Sequence, residues 1–154
     1  MKQYASNACG TVAAFHAIVN MSKEYPDLIA KESYFAKFIE STKPLTAEER
    51  GNYFKKDKGL ESAHKKAVKK GQSEVTARVS THFIAFVEVD GSLYELDGRR
   101  AAPVNHGPCK GNEVLAKSCQ VIQQFMDRDP GELRFTIMAM AFANTNQFDQ
   151  FAYE

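Results

Sequence analysis

The chain has 154 residues, a formal net charge of +1 and 44% hydrophobic residues, which is typical of one globular domain with its own core. The balanced charge gives no electrostatic case for binding nucleic acid or membrane, and no apolar run approaches the roughly 18 residues of a membrane span. The first residues do not lead into an apolar run, so no signal peptide is predicted. With three cysteines and no export signal, reduced thiols and a cytoplasmic location are expected.

The first third of the chain is predicted to be helical. Residues 9–21 are apolar almost all round, which favours a helix buried on every side, with Ser6 or Asn7 as its N-cap. A second helix is predicted over 33–40. The Thr46–Glu49 pair has the spacing of a capping box and predicts the start of a third helix.

A basic and polar span follows. Residues 50–78 hold nine basic and three acidic residues. The composition predicts a long mobile connection with one short helix near 61–70. Connections of this length in a compact domain are usually lids or binding loops, and the alternative is a solvated charged face.

The second half has a strand pattern interrupted by one helix. Residues 82–97 are rich in β-formers and are interrupted by Asp90-Gly91, a strong signal for a two-residue hairpin. A helix over 113–127 is predicted with Asn112 as its cap, and the alternation within 133–141 predicts a further strand. The chain is therefore predicted to be mixed α/β (α+β), with a largely antiparallel sheet.

The predicted hairpin places a histidine beside a carboxylate. If Asp90-Gly91 are the central turn residues, Val89 pairs with Ser92, and His82 and Asp97 become diagonal neighbours on one face, about 7–8 Å apart at the backbone. A carboxylate there can accept a hydrogen bond from one imidazole nitrogen and leave the other free to act. A one-residue change of register would separate the two side chains.

Cys9 is the candidate nucleophile. It lies in the first turn of the predicted buried helix, where the helix dipole and unpaired N–H groups favour a thiolate. Gly10 leaves room for a substrate carbonyl beside it. The alternative is a small buried core cysteine, and Cys9 is preferred as a nucleophile only in combination with His82 and Asp97.

The remaining cysteines and histidines are interpreted as structural. Cys109 and Cys119 are predicted to be core residues, and His16 a hydrogen-bonded core histidine. His64 is expected to be exposed, and His106 lies in a predicted loop where the spacing gives it no partner. The sequence contains no CxxC or HxxxH metal pattern and no glycine-rich phosphate loop.

Four segments resemble one known family. Residues 3–11 (QYASNACGT), 82–86 (HFIAF), 93–99 (LYELDGR) and 103–107 (PVNHG) resemble the motifs of the ubiquitin carboxyl-terminal hydrolases (peptidase C12), in the family's order. The resemblance extends from residue 2 to about residue 143. It is closest to the short, single-domain members of the L3 type.

The resemblance implies a fold and an activity. The family fold is a papain-like α/β core, with a mostly antiparallel sheet, flanking helices and a knotted backbone. Residues 1–154 would then form one catalytic domain, a monomer without a cofactor or metal. Its activity would be that of a thiol-dependent deubiquitinating hydrolase that cleaves adducts from the C-terminal glycine of ubiquitin, or of ubiquitin-like modifiers.

The resemblance also implies roles for particular residues. Gln3 would stabilise the oxyanion, Cys9 attack, His82 move the proton and Asp97 orient His82. Residues 54–77 would form the crossover loop that limits substrate size. The family has a substantial segment before the glutamine, so an N-terminally truncated domain with an incomplete knot is expected.

Two alternatives remain open from the sequence. One is a non-catalytic ubiquitin-binding fragment or decoy, and the other is an unrelated papain-like protease or acyltransferase. A further hypothesis concerns the basic span, which as a cationic lid would repel the basic tail of ubiquitin and select substrates by charge. Four lysines carry that hypothesis: Lys65, Lys66, Lys69 and Lys70.

Overall fold

The computed structural model describes residues 1–70 and 81–141. The helices are α1 (Cys9–Glu24), α2 (Tyr34–Thr42), α3 (Ala47–Lys56), α4 (Lys58–Lys70) and α5 (Val114–Arg128), with two short 3₁₀ helices at Pro26–Leu28 and Gly111–Glu113. The strands are β1 (Ala85–Val89), β2 (Ser92–Leu96) and β3 (Val104–Pro108), which form an antiparallel sheet in the order β1-β2-β3. Over the described ranges, every helix is too short or too polar to cross a membrane.

Helix α1 begins differently from the prediction. Its N-cap is Ala8, which offers no side-chain hydrogen bond, so neither Ser6 nor Asn7 caps it. Asn7 has φ 53°, a left-handed conformation rather than the extended one of an N-cap residue. The prediction of burial on every side is also wrong, because from His16 onward each residue of α1 is at least partly exposed.

Helices α2 and α3 both begin at polar caps, of which the cap of α3 was predicted. The Ser33 hydroxyl accepts a hydrogen bond from the Ala36 amide at 3.1 Å. Thr46 and Glu49 form the predicted capping box, in which the Glu49 amide donates to the Thr46 hydroxyl at 3.2 Å and the Thr46 amide donates to the Glu49 carboxylate at 2.9 Å. Each cap satisfies amides that the first helical turn leaves unpaired.

Two apolar clusters hold these elements together. In the first, Phe15 of α1 packs edge-on against Phe38 of α2 and Phe54 of α3, at ring-centroid distances of 5.1 and 5.7 Å. Leu60 of α4 joins this cluster. In the second, Leu93 of β2 packs against α5. Burial of side chains of this size contributes about 1.5–3 kcal/mol each relative to exposure.

The basic span is more helical than predicted. Helix α3 continues to Lys56 and α4 starts at Lys58, so the predicted long connection is wrong for these residues and the short helix near 61–70 is part of a longer one. The Asp57 carboxylate between the two helices accepts hydrogen bonds from the amides of Gly59 (2.9 Å) and Leu60 (3.2 Å). Residues 71–78 of the predicted connection lie outside the described part of the chain.

The predicted hairpin is confirmed. Val89 pairs with Ser92, and the turn residues Asp90 and Gly91 have φ values of 50° and 75°, as a two-residue type I′ turn requires. β1 starts at Ala85, later than predicted.

Three predictions in the second half are wrong. Val104–Pro108 forms a third strand where a loop was expected. Asn112 lies inside a 3₁₀ turn, and Glu113 takes the N-cap position of α5. Residues 133–141 have no regular structure in the described chain, where no strand pairs with them. Without a partner strand the alternation cannot produce a sheet edge.

Candidate active site

His82 and Asp97 meet at the open end of the hairpin. His82 Nε2 lies 2.7 Å from Asp97 Oδ1, so the contact predicted from the turn geometry is present. Both residues lie just outside the ladder, since the pairing ends at Ala85 and Leu96. The side chains are 18% and 13% exposed, which strengthens their interaction by limiting competition from water.

The second nitrogen of this imidazole has no hydrogen-bond partner among the described residues. His82 Nδ1 is buried and makes no hydrogen bond to any residue in the described part of the chain. Because Nε2 is committed to Asp97, Nδ1 is the atom that can exchange a proton with a reacting group. Buried polar atoms are rarely left unpaired without a functional reason.

Asp97 is held in its ionised form. Burial would raise the pKa of its carboxyl, but the Arg99 amide, the His82 side chain and the Arg100 charge together outweigh burial and lower the pKa below its usual value. The Arg99 amide donates to the same Oδ1 atom at 2.8 Å. A carboxylate fixed in this way restricts the ring orientation of its histidine partner.

Cys9 opens α1 and is 8% exposed. The Val12 amide donates to the Ala8 carbonyl at 2.9 Å, and the Cys9 and Gly10 amides lie in the first turn, whose N–H groups have no carbonyl partner within the helix. A Cβ on Gly10 would lie 3.6 Å from the Phe83 ring. The residue after His82 therefore packs against the first turn of α1, which brings the segments of Cys9 and His82 together. No hydrogen bond joins the Cys9 thiol to a described residue.

Gln3 is attached to the turn that carries Asp97. Its backbone amide donates to the Gly98 carbonyl at 2.8 Å. A Cβ on Gly98 would lie 2.8 Å from Gln3 Cβ and 3.0 Å from Val12 Cγ1. Only glycine permits so close an approach. The Gln3 side chain donates from Nε2 to the Ala5 carbonyl at 3.2 Å, and its buried Oε1 has no partner among described residues.

Lys2 fixes the segment before Gln3. Its amide donates to the Ala47 carbonyl at 2.9 Å, and its ammonium donates to the Arg99 and Arg100 carbonyls at 3.0 and 2.7 Å. A Cβ on Gly51 of α3 would lie 2.2 Å from the Lys2 carbonyl oxygen. Residues 2 and 3 are thus held between α3 and the turn after β2.

A second histidine–carboxylate contact, built on the buried Glu95, was not predicted. Glu95 Oε2 lies 3.0 Å from His106 Nε2, and Glu95 Oε1 lies 3.0 Å from Arg100 Nε. His106 therefore has a partner, contrary to the prediction. The partnership depends on β3, whose register on β2 contains an irregularity between Ser92 and Tyr94. The alternation that puts Glu95 and Asp97 on one face was the available signal.

The other structural interpretations have mixed outcomes. Cys109 is a core residue, 2% exposed, as predicted, whereas Cys119 is exposed, contrary to prediction, because α5 turns Ser118 and Val121 toward the core instead. His16 Nε2 lies 2.8 Å from the Met1 amine, but its Nδ1 is buried without a partner among described residues. Burial, followed by the neighbouring Met1 charge, lowers the pKa of His16 to about 4.

Potential metal ligands are not clustered in the described part of the chain. Within residues 1–70 and 81–141, no group of three or more His, Cys, Asp and Glu side chains could hold a metal ion.

Comparison with known proteins identifies the family. The family model described as ubiquitin carboxyl-terminal hydrolase, family 1, matches residues 1–127. The chain is 38% identical over 145 residues to rat ubiquitin carboxyl-terminal hydrolase isozyme L1, covering 93% of this chain and 63% of that protein. The Drosophila melanogaster ubiquitin carboxyl-terminal hydrolase is also 38% identical over 145 residues, with 93% and 62% covered. The chain belongs to the ubiquitin carboxyl-terminal hydrolase family, as its motifs predicted; the L3 type stays a prediction.

A solved structure supports the fold. The chain resembles the Trichinella spiralis UCH37 catalytic domain, a protein bound there to ubiquitin vinyl methyl ester, with a TM-score of 0.64 and 22% identity; 86% of this chain and 58% of that chain are covered. The predicted papain-like α/β class is therefore confirmed. The chain spans less than two thirds of the length of these relatives.

Proposed function

We propose that this chain carries the catalytic machinery of a thiol-dependent ubiquitin hydrolase, which cleaves adducts from the C-terminal glycine of ubiquitin. The observation that carries the proposal is the arrangement of the His82 ring, in which Nε2 lies 2.7 Å from Asp97 Oδ1 and Nδ1 has no hydrogen-bond partner among the described residues. This is the arrangement that a thiol hydrolase needs in its base. Membership of the family supports the choice of ubiquitin as substrate.

In the proposed reaction, Cys9 attacks the carbonyl carbon of the terminal glycine. His82 Nδ1 first takes the thiol proton and then delivers it to the leaving group as the thioester forms. The same nitrogen next takes a proton from water, whose oxygen attacks the thioester. The products are free ubiquitin and the regenerated Cys9 thiol.

Gln3 and the start of α1 would stabilise the negative oxygen of each tetrahedral intermediate. The side-chain amide of Gln3 has two N–H donors, and one of them donates to the Ala5 carbonyl. The Cys9 amide lies before the hydrogen-bonded ladder of α1 and is a candidate for the second donor. Loss of one such donor typically costs about 2.7–4 kcal/mol of transition-state stabilisation.

The segment 54–77 would limit access to the site. Its described part is mainly α4, which is tied to the body of the protein at one end, by the Asp57 cap and by the buried side chain of Leu60. The exposed lysines Lys58, Lys65, Lys66 and Lys69 lie along α4, and their charge would favour acidic over basic leaving groups. The segment is thereby proposed to select substrates by size and charge.

The experiment is hydrolysis of a fluorogenic ubiquitin C-terminal amide by the wild-type chain and by Cys9→Ser. The matched control is Cys119→Ser, because Cys119 is an exposed thiol on α5 and is not part of the proposed site. We expect turnover by the wild type and the control, and loss of turnover in Cys9→Ser. Labelling by ubiquitin vinyl methyl ester should follow the same pattern.

Three outcomes would overturn the proposal. Binding of ubiquitin without turnover or labelling would indicate the non-catalytic alternative. Hydrolysis of ordinary peptides as fast as ubiquitin amides would indicate a general papain-like protease. Turnover that persists in Cys9→Ser but is lost in Cys119→Ser would show that Cys119, and not Cys9, is the nucleophile.

A further inference from the structure

The buried carboxylate of Glu95 lies close to Asp97 in the chain and plays no part in the proposed reaction. The Glu95 side chain is 3% exposed, and its two oxygens are taken by Arg100 Nε and His106 Nε2, each at 3.0 Å. A charge this deeply buried persists only when its oxygens are paired. Because burial of a carboxylate costs free energy, a structural or functional role is expected for Glu95.

Arg100 connects this carboxylate to Asp97. Its Nε atom lies 3.0 Å from Glu95 Oε1 and 4.0 Å from Asp97 Oδ2. The His82 ring and the Arg99 amide both contact the other oxygen of Asp97, Oδ1. The guanidinium group therefore stands on the side of Asp97 that faces away from the histidine.

The same contact closes the backbone turn that carries Asp97. Glu95 precedes Asp97 by two residues and Arg100 follows it by three, so their side-chain contact spans the turn. The Arg100 amide also donates to the Asp97 carbonyl at 3.1 Å, and its own carbonyl accepts from Lys2 Nζ at 2.7 Å. Gly98, whose carbonyl accepts a hydrogen bond from the Gln3 backbone amide, lies inside this closed turn.

We propose that Glu95 and Arg100 act as a pair of positioning residues, which fix the orientation of the Asp97 carboxylate and through it the His82 ring. This inference rests on the proposed function above. Neither residue takes part in the proposed reaction itself. His106 completes the hydrogen bonding of Glu95 and leaves its other oxygen to Arg100.

The pair should affect the chemical step rather than the binding of ubiquitin. Without Glu95, the half-exposed Arg100 side chain loses its anchor, and Asp97 can rotate away from the ring. Small errors in the geometry of a base are costly for proton transfer, even when they arise outside the reacting groups. The expected signature is a lower kcat with an unchanged KM.

The test compares Glu95→Gln, Arg100→Gln, Arg100→Lys and the double variant Glu95→Gln/Arg100→Gln. Steady-state kinetics on the fluorogenic ubiquitin amide give kcat and KM. Nitrogen-15 NMR of the histidine rings reports the His82 Nε2 hydrogen bond directly, without any need for turnover. The matched control is Glu88→Gln, which removes a carboxylate charge from the neighbouring strand and leaves a side-chain oxygen that can still accept the hydrogen bond from the Gly91 amide.

We expect each Gln variant to lower kcat on the order of tenfold with KM within about twofold. The double variant should be no worse than the more damaged single variant, because the two residues act as one unit. Arg100→Lys should recover part of the loss, since it keeps the charge but not the planar fork. The His82 Nε2 signal should change in both Gln variants and stay unchanged in Glu88→Gln.

The outcomes separate this inference from the proposed function. A wild-type chain that is inactive counts against the proposed function, and the NMR signals then still decide whether the pair holds the ring. An active wild type whose kcat and ring signals are unaffected in both Gln variants overturns the inference alone. If Glu95→Gln fails to fold, Arg100→Gln decides, because Arg100 is half exposed and its replacement leaves the Glu95–His106 contact in place.

Discussion

The backbone amide of Gln3 donates a hydrogen bond to the carbonyl of Gly98 at 2.8 Å. This bond ties the residue whose side chain is the proposed oxyanion donor to the residue directly after Asp97. The two residues are 95 positions apart in the chain. Two of the proposed functions, orientation of the base and stabilisation of the oxyanion, therefore depend on one turn. A change in that turn should disturb both together.

Substitution of Gly98 by alanine tests this dependence. A Cβ there would lie 2.8 Å from Gln3 Cβ and 3.0 Å from Val12 Cγ1, closer than packed side chains allow. We expect a loss of about 1–3 kcal/mol in the free energy of unfolding, measured by urea denaturation, and a lower kcat for the ubiquitin amide in the folded fraction. Gly111→Ala is the control, because no atom lies within 4 Å of a Cβ there; equal effects at both positions would contradict the prediction.

Substitution of Asp97 by asparagine tests the role of the carboxylate. The variant keeps the shape of the side chain but removes the charge that faces His82 and allows the wrong ring tautomer. We expect kcat to fall by up to about four orders of magnitude, as for the same substitution in the analogous Ser-His-Asp triad, while KM for the ubiquitin amide changes little. A kcat close to that of the wild type would show that His82 does not depend on Asp97.

The same carboxylate should contribute to the acid dependence of stability. The pKa of Asp97 is lower in the folded protein than in the unfolded chain, so its stabilising effect is fully present above the unfolded value of about 3.9. The effect is lost as the pH falls through the folded value, because protonation then favours the unfolded state.

Urea denaturation at several pH values measures this effect. The difference in unfolding free energy between the wild type and Asp97→Asn should be constant near neutral pH and should shrink below about pH 4. A difference that stays constant or grows toward lower pH would indicate that the pKa of Asp97 is not lowered by folding.

The local signals in the sequence were sufficient for the parts of the fold that a few neighbouring residues determine. Asp90-Gly91 can adopt the positive φ values of the turn, and the turn then sets the register that brings His82 to Asp97. The Thr46–Glu49 capping box is likewise complete within four residues. Both predictions hold because neighbouring residues alone determine these two conformations, without contacts from distant segments.

The remaining features depend on contacts between distant segments. Strand β3 contains Asn105, Gly107 and Pro108, which have low intrinsic preference for strands, and it forms only because β2 offers it a partner. The Glu95–His106 contact follows from that pairing and its irregular register, neither of which a single sequence reveals. The start of α1 was mispredicted for a similar reason, since a polar residue before a helix need not adopt the conformation of a cap.

Neutralising the exposed lysines of α4 tests the proposal of charge selection. Replacement of Lys65, Lys66 and Lys69 by glutamine should reduce the salt dependence of the association rate with ubiquitin substrates, because fewer charges act at long range. Stopped-flow association at several ionic strengths measures this effect. Lys37→Gln on α2 serves as the control, and an unchanged salt dependence in the triple variant would contradict charge selection.

The proposed size limit depends on the anchoring of α4 at Asp57. Its carboxylate accepts from the Gly59 and Leu60 amides and also bonds the Tyr34 hydroxyl, so Asp57→Ala removes the cap and the link to α2. We expect a loss of about 1 kcal/mol of stability and faster cleavage of ubiquitin from bulky, folded leaving groups, with little change for the small fluorogenic amide.

A second cap variant separates anchoring from general destabilisation. Thr46→Ala removes the capping box of α3 and should also cost about 1 kcal/mol, but it leaves the start of α4 intact. The ratio of kcat/KM for bulky and small leaving groups should therefore rise in Asp57→Ala and stay at the wild-type value in Thr46→Ala. If the two variants change the ratio equally, the effect comes from lost stability, and the anchoring of α4 does not set the size limit.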